Sequence, residues 1–158
     1  MSTMNPNKKK RMSGLKSSSS ASKKFSPSWV LTHYNDAPGF NLELIENIRL
    51  GVQKSDWKQL LIDIELTEKE LEKILPSSIS SMQKKTQYDR ETSERIFELA
   101  RLFGLGHEVF DSNSDFINWL FSQSKTLGNM KPFELLDSSL GFKIVENEIL
   151  RIQHNVYA

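Results

Sequence analysis

From about residue 41 onward the apolar residues recur at helical spacing, with no strand-like alternation of useful length. Leu42, Ile45, Ile48 and Val52 form one stripe behind a candidate Asn41 cap, and Trp57, Leu60, Leu61 and Ile64 form a second behind Ser55. Thr67-Glu68-Lys69-Glu70 has the capping-box pattern, in which the threonine oxygen takes a backbone N–H and the glutamate reaches back to the cap. Leu71, Ile74 and Leu75 lie inward on that helix, and Pro76 stops it. Ser77 or Ser78 then caps another short helix, with Ile79 and Met82 on one face. Asp89 opens a long helix whose stripe is Ile96, Leu99, Ala100 and Phe103, and Gly104 with Gly106 is expected to let the chain leave it. Asp115 starts a short segment carrying Phe116, Ile117, Trp119, Leu120 and Phe121, too apolar all round to face water alone. A turn from Pro132 to Asp137 leads to a last helix opened by Ser138 or Ser139, with Asp137 as its simplest cap and Phe142, Val145, Ile149 and Ile152 in its stripe. The predicted fold class is all-α.

The unit from Thr67 to Lys85 is helix, sharp turn, helix. Such a pair can brace its second helix so that the exposed N-terminal face enters a major groove ~12 Å wide. Ser78, Ser80 and Ser81 can approach bases or phosphates, Gln83 can pair with adenine, and Lys84 and Lys85 can meet phosphates. These six are the candidate DNA-binding residues. The same corner also serves plain packing in all-α domains. Glu68, Glu70 and Glu72 nearby oppose affinity for a polyanion, so a second copy or another basic segment has to add attraction.

Charge supplies that segment. The net charge is +1, from 21 Lys and Arg against 20 Asp and Glu, but seven of the basic residues precede the first acid, Asp36. The remaining 14 face 20 acids, so the body carries about −6. The Lys/Ser-rich stretch from 1 to 35 cannot bury enough apolar surface to offset its ordering entropy and is expected to be a disordered tail, suited to loose phosphate contact or to solubility alone. With 158 residues the chain suits one domain or two small helical modules. There is no cysteine, and His33, His107 and His154 are scattered, so neither a thiolate site nor a histidine metal cluster is expected. No apolar run approaches the ~20 residues of a membrane span and no apolar signal core follows the basic start, which predicts a soluble, cytoplasmic protein. Nucleophile, base and orienting acid cannot be proposed from any spacing, so no catalytic residue and no cofactor are expected.

The C-terminal segments carry a resemblance. Glu94-Arg-Ile-Phe-Glu-Leu-Ala-Arg-Leu-Phe103, Glu108-Val-Phe110, Lys131-Pro-Phe-Glu-Leu-Leu-Asp137 and the ending Arg151-Ile-Gln-His-Asn-Val-Tyr-Ala158 resemble the Xre/MbcA/ParS antitoxins. In that family a Pro-x-Glu-Leu-Leu-Asp turn precedes a helix and a terminal Arg-Ile-x-His-Gly-Val-Phe-Ala-like segment; here Asn155 replaces the glycine and Tyr157 the phenylalanine. The resemblance implies an Xre-like helix-turn-helix DNA-binding and dimerisation domain over 36–88 and a helical toxin-binding domain over 89–158. It further implies a homodimer within a larger complex, operator DNA as one partner, and as the other a RES-domain toxin that consumes NAD and whose active-site entrance the C-terminal region covers.

On that last helix Ile144 and Leu150 sit off the core stripe, and Val156 and Tyr157 follow its last turn. With His154, Asn155 and Ala158 they form the candidate toxin-binding set. Tyrosine suits an interface through its apolar body and polar tip, while a lone histidine at a helix end more often satisfies a backbone carbonyl. The alternative function is a stand-alone helix-turn-helix regulator whose C-terminal module only dimerises.

Overall fold

The Asp89 side chain accepts a hydrogen bond from the Thr92 N–H and opens the longest helix, α6 (Arg90–Val109), around which the rest of the chain is arranged. The computed structural model describes residues 26–33 and 38–156. Within them the protein is all-helical, with α1 (Pro27–His33), α2 (Pro38–Leu50), α3 (Lys54–Ile64), α4 (Glu68–Leu71), α5 (Ile79–Lys84), α6, α7 (Asn113–Leu120) and α8 (Ser139–Val156). Two 3-10 turns, Lys125–Leu127 and Pro132–Leu135, lie between α7 and α8. One buried apolar cluster runs from Val30 to Ile149 and includes Trp57, Leu60, Ile96, Phe103, Phe116 and Phe142. Helices α1, α2, α3, α7 and α8 all pack on α6.

Several expected boundaries shift for tertiary reasons. Gly104 and Gly106 do not end α6; it continues for three more residues and exits at Phe110. A Cβ on Gly104 would come within 2.5 Å of the Leu31 carbonyl oxygen, and one on Gly106 within 2.6 Å of the Phe116 ring. Both glycines therefore trade helix propensity, ~1 kcal/mol each against alanine, for close approach of α1 and α7. The folded part also begins earlier than residue 36. Pro27, Val30 and Leu31 are buried on α1, which packs against α6 and α3. Of the expected disordered tail, residues 1–25 and 34–35 lie outside the described residues.

Helix α2 buries a different face from the one expected. Phe40, Leu44 and Ile48, four residues apart, pack into the core, whereas Leu42 is 66% and Ile45 40% exposed. Val52 is buried but lies beyond the helix, which ends before Gly51, at φ 92°. Ser55 does not cap α3. The helix starts at Lys54 without a side-chain cap, and the Lys54 N–H donates to the Thr86 carbonyl (2.9 Å) in the link before α6. Tyr88 N–H donates to Val52 O (2.9 Å) beside it, so this link and the α2–α3 corner satisfy one another.

Thr67 caps α4 as its sequence predicts: its side chain accepts from Glu70 N–H while the Glu70 carboxylate accepts from Thr67 N–H. The helix is a single turn, and the chain continues through turns to Leu75. Ser78 caps α5, Ser112 rather than Asp115 caps α7, and Ser138 rather than Asp137 accepts from Gly141 N–H at the start of α8. The hydroxyls of Ser112 and Ser138 thus take these caps, one residue ahead of Asn113 and Ser139.

Candidate functional site: the α5 face and the α8 surface

The six candidate DNA-binding residues share one short helix with its caps, but only three share an outward face. Ser80, Gln83 and Lys84 are exposed and stand at i, i+3 and i+4. Ser78 is held by its capping role and by the Ser80 hydroxyl at 3.3 Å. Ser81 and Lys85 are half-buried. Lys85 donates to Asp89 Oδ2 at 2.9 Å, and that bond, with Thr92 N–H, holds the Asp89 carboxyl far below the usual carboxylate range. Lys54 Nζ donates to the Gln83 carbonyl at 2.6 Å and fastens α5 to the start of α3. Glu70 and Glu72 are exposed on the preceding unit.

The second surface is on α8. Phe142, Val145 and Ile149 are buried and Ile152 is partly so, as the stripe predicts. Gly141 sits so close to the Leu135 carbonyl oxygen that a Cβ would overlap it, which packs the start of α8 against the Pro132–Leu135 turn. Arg95 of α6 donates to the Leu136 carbonyl at 2.6 Å, and its guanidinium lies 5.2 Å from the centre of the Phe142 ring.

Two polar ties fix α8 further. Arg101 Nε and Nη2 donate to the Glu146 carboxylate at 2.5–2.8 Å, joining α6 to α8. Glu148 is buried; it accepts from Thr126 Oγ1 at 2.5 Å and from Arg151 at 2.5 and 2.9 Å, which anchors the loop before Met130 to the helix. The Arg151 hydrogen bonds hold the Glu148 carboxyl below its ordinary value, against the opposing effect of burial. The i, i+3 charge spacing of Glu148 and Arg151 was visible in the sequence. Nothing in the sequence pointed to Thr126 or to the pairing of Arg101 with Glu146 across 45 residues.

Ile144 and Leu150 are both exposed, at 40% and 38%. They do not form one patch, since six residues at 3.6 per turn set them about 120° apart around the axis. Ile144 stands one turn from Leu140, which is 70% exposed. Leu150 instead lines a cleft of about 360 Å³ between α1, α6 and α8. His154 and Asn155 are exposed on the last turn of α8, and Val156 is its last residue. Tyr157 and Ala158 lie outside the described residues. Among the described residues no group of His, Cys, Asp and Glu could hold a metal ion, and no helix is long and apolar enough to cross a membrane.

The chain is thus all-helical, with Leu140 and Ile144 exposed on a helix that the Arg101–Glu146 ion pair ties to α6. Residues 105–154, from the last turn of α6 nearly to the end of α8, match the family described as the antitoxin Xre/MbcA/ParS C-terminal toxin-binding domain. The chain is also 27% identical over 124 residues to a protein of Sphingobium sp. (strain YBL2) named Prs ADP-ribosylating antitoxin, covering 70% of this chain and 78% of that one. Both similarities support reading it as an antitoxin of the Xre/MbcA/ParS type.

Proposed function

We propose that this antitoxin neutralises a RES-domain, NAD-consuming toxin by laying its C-terminal region over the toxin's active-site entrance. The observation that carries the reading is the match of residues 105–154 to a toxin-binding domain, on a helix that leaves Leu140, Ile144 and Leu150 exposed. The name of the Sphingobium relative contains ADP-ribosylation, and an ADP-ribosyl group is drawn from NAD, the chemistry assigned here to the partner. Inhibition is then steric and uses no catalytic residue, cofactor or metal of this chain. The binding set is Ile144, Leu150, His154, Asn155, Val156, Tyr157 and Ala158.

DNA binding is the second part of the proposal. The outward Ser80, Gln83 and Lys84 face of α5 contacts operator DNA and the protein represses its own operon in the cytoplasm, with residues 36–88 as the DNA-binding and dimerisation domain and 89–158 as the toxin-binding one. Exposed Leu42, Ile45 and Leu50 on α2 supply apolar surface for the homodimer, which places two α5 faces on the DNA and offsets the acidic neighbours of each. Co-expression of the chain with a toxic RES-domain protein, sought first in the adjacent gene, tests the first part. Restored growth with the intact chain, and lost protection when residues 155–158 are removed, is the expected result; undiminished protection after the truncation contradicts the covering role. Gel shifts on the upstream promoter test the second part, and binding unchanged by Gln83→Ala with Lys84→Ala contradicts it.

A further inference from the structure

The toxin-binding set does not lie on one face of α8, because Leu150 faces the cleft shared with α1 and α6 and turns away from Ile144. The cleft has an apolar floor of Leu31, Leu105 and Leu150. Along α8, Asn147 and Gln153 stand three residues before and three after Leu150, about 4.5 Å up and down the axis. Neither carboxamide has a hydrogen-bond partner among the described residues, and each can donate to and accept from a passing main chain. Glu146 in the cleft is neutralised by Arg101, whereas Glu108 on the rim is exposed and has no such cation, so the cleft carries excess negative charge.

The shape of the cleft is set by a specific sequence choice. Gly104 lets the end of α1 approach α6 closely enough for Leu31 to form a wall, and α1 lies outside the stretch matched to the toxin-binding domain. Leu105, Glu108, Glu146, Asn147, Leu150 and Gln153 all lie inside that stretch. At about 360 Å³ the space is at the small end of the ~300–1,000 Å³ range of ligand pockets, suited to one large side chain with its flanking backbone.

We propose that the cleft between α1, α6 and α8 is a second docking point for the toxin, taking an extended toxin segment with one large apolar side chain on Leu150 and a basic residue beside Glu108. The inference rests on the toxin-binding reading and deepens it: α1 becomes part of the interface, and the toxin grips α8 from two sides. The occupant is a protein segment because the lining pairs an apolar floor with amides on either side of Leu150, the arrangement that receives a side chain and its main chain together.

The test is calorimetric titration of a RES-domain toxin that this chain neutralises into the unmodified chain and three variants. Thr32→Trp narrows the cleft from exposed α1, Leu150→Glu charges its floor and Glu108→Lys reverses its rim; unchanged helical circular dichroism and melting confirm folding. The expected result is a tenfold or greater loss of affinity for Thr32→Trp and Leu150→Glu, and a threefold or greater loss for Glu108→Lys that shrinks with added salt. If the unmodified chain binds and all three folded variants bind within twofold of it, the cleft is not a docking point, Leu150 leaves the binding set, and the reading that rests on Ile144 and residues 154–158 stands. If the unmodified chain does not bind, the toxin-binding reading fails and the inference with it.

Discussion

At the scale of single residues, the fold depends on a few positions where a small atom or a single carboxylate decides what can pack. Gly104 is the clearest. Alanine there places a methyl group 2.5 Å from the Leu31 carbonyl oxygen, a backbone atom that cannot swing aside. Although alanine is the better helix former, Gly104→Ala is expected to lower stability by about 1–3 kcal/mol through overpacking, read as a lower urea midpoint. Glu148 gives a pH-dependent counterpart. Its folded-state pKa is depressed, chiefly by the Arg151 hydrogen bonds, so its contribution is present above the ordinary carboxylate pKa and fades as pH falls through the folded value. Glu148→Gln should therefore destabilise by about 1–2 kcal/mol near pH ~7, with the gap to the unmodified protein closing on acidification below pH ~4. Glu98 runs the other way: burial raises its pKa, so its ionisation opposes folding as pH rises.

At the scale of elements, what was legible in the sequence is what depends on neighbours along the chain. The Thr67–Glu70 capping box, the Asp89 cap, the Pro132 turn and the α8 stripe are local chemistry, and each forms where the pattern put it. Thr67→Ala removes one half of the box and should cost about 1 kcal/mol, seen in equilibrium denaturation; it also frees Glu70, whose carboxyl Thr67 holds below its ordinary value. What the sequence left hidden depends on partners far along the chain. Gly104 and Gly106 look like helix exits until α1 and Phe116 are seen against them. Leu42 and Ile45 fit a helical stripe as well as Phe40, Leu44 and Ile48 do, and only packing on α6 decides between two apolar faces of one helix. Helix α1 was submerged in a basic, serine-rich stretch, although Trp29, Val30 and Leu31 are the apolar residues that tie it down. In the candidate sites, α5 and α8 were found from pattern, while the separation of Ile144 from Leu150 and the cleft beside Leu150 required the fold.

At the scale of the whole molecule, α6 carries both halves: α1, α2 and α3 pack on it alongside α7 and α8. The α5 unit, through Met82, and the α8 surface therefore stand on one apolar core. If the α2 face joins two copies, replacing Leu42 and Ile45 by glutamate should halve the mass seen by sedimentation equilibrium without loss of helical content. A mass equal to that of the unmodified protein would place the homodimer contact elsewhere.

The central claim is that the C-terminal region blocks a toxin that consumes NAD. Its readout is the rate at which a purified RES-domain toxin, the proposed partner, consumes NAD during titration with the intact chain and with a chain ending at His154. The intact chain is expected to abolish consumption at a fixed stoichiometric ratio, and the shortened chain to leave at least half of the activity while still binding. Full NAD consumption in the presence of saturating intact antitoxin would contradict it.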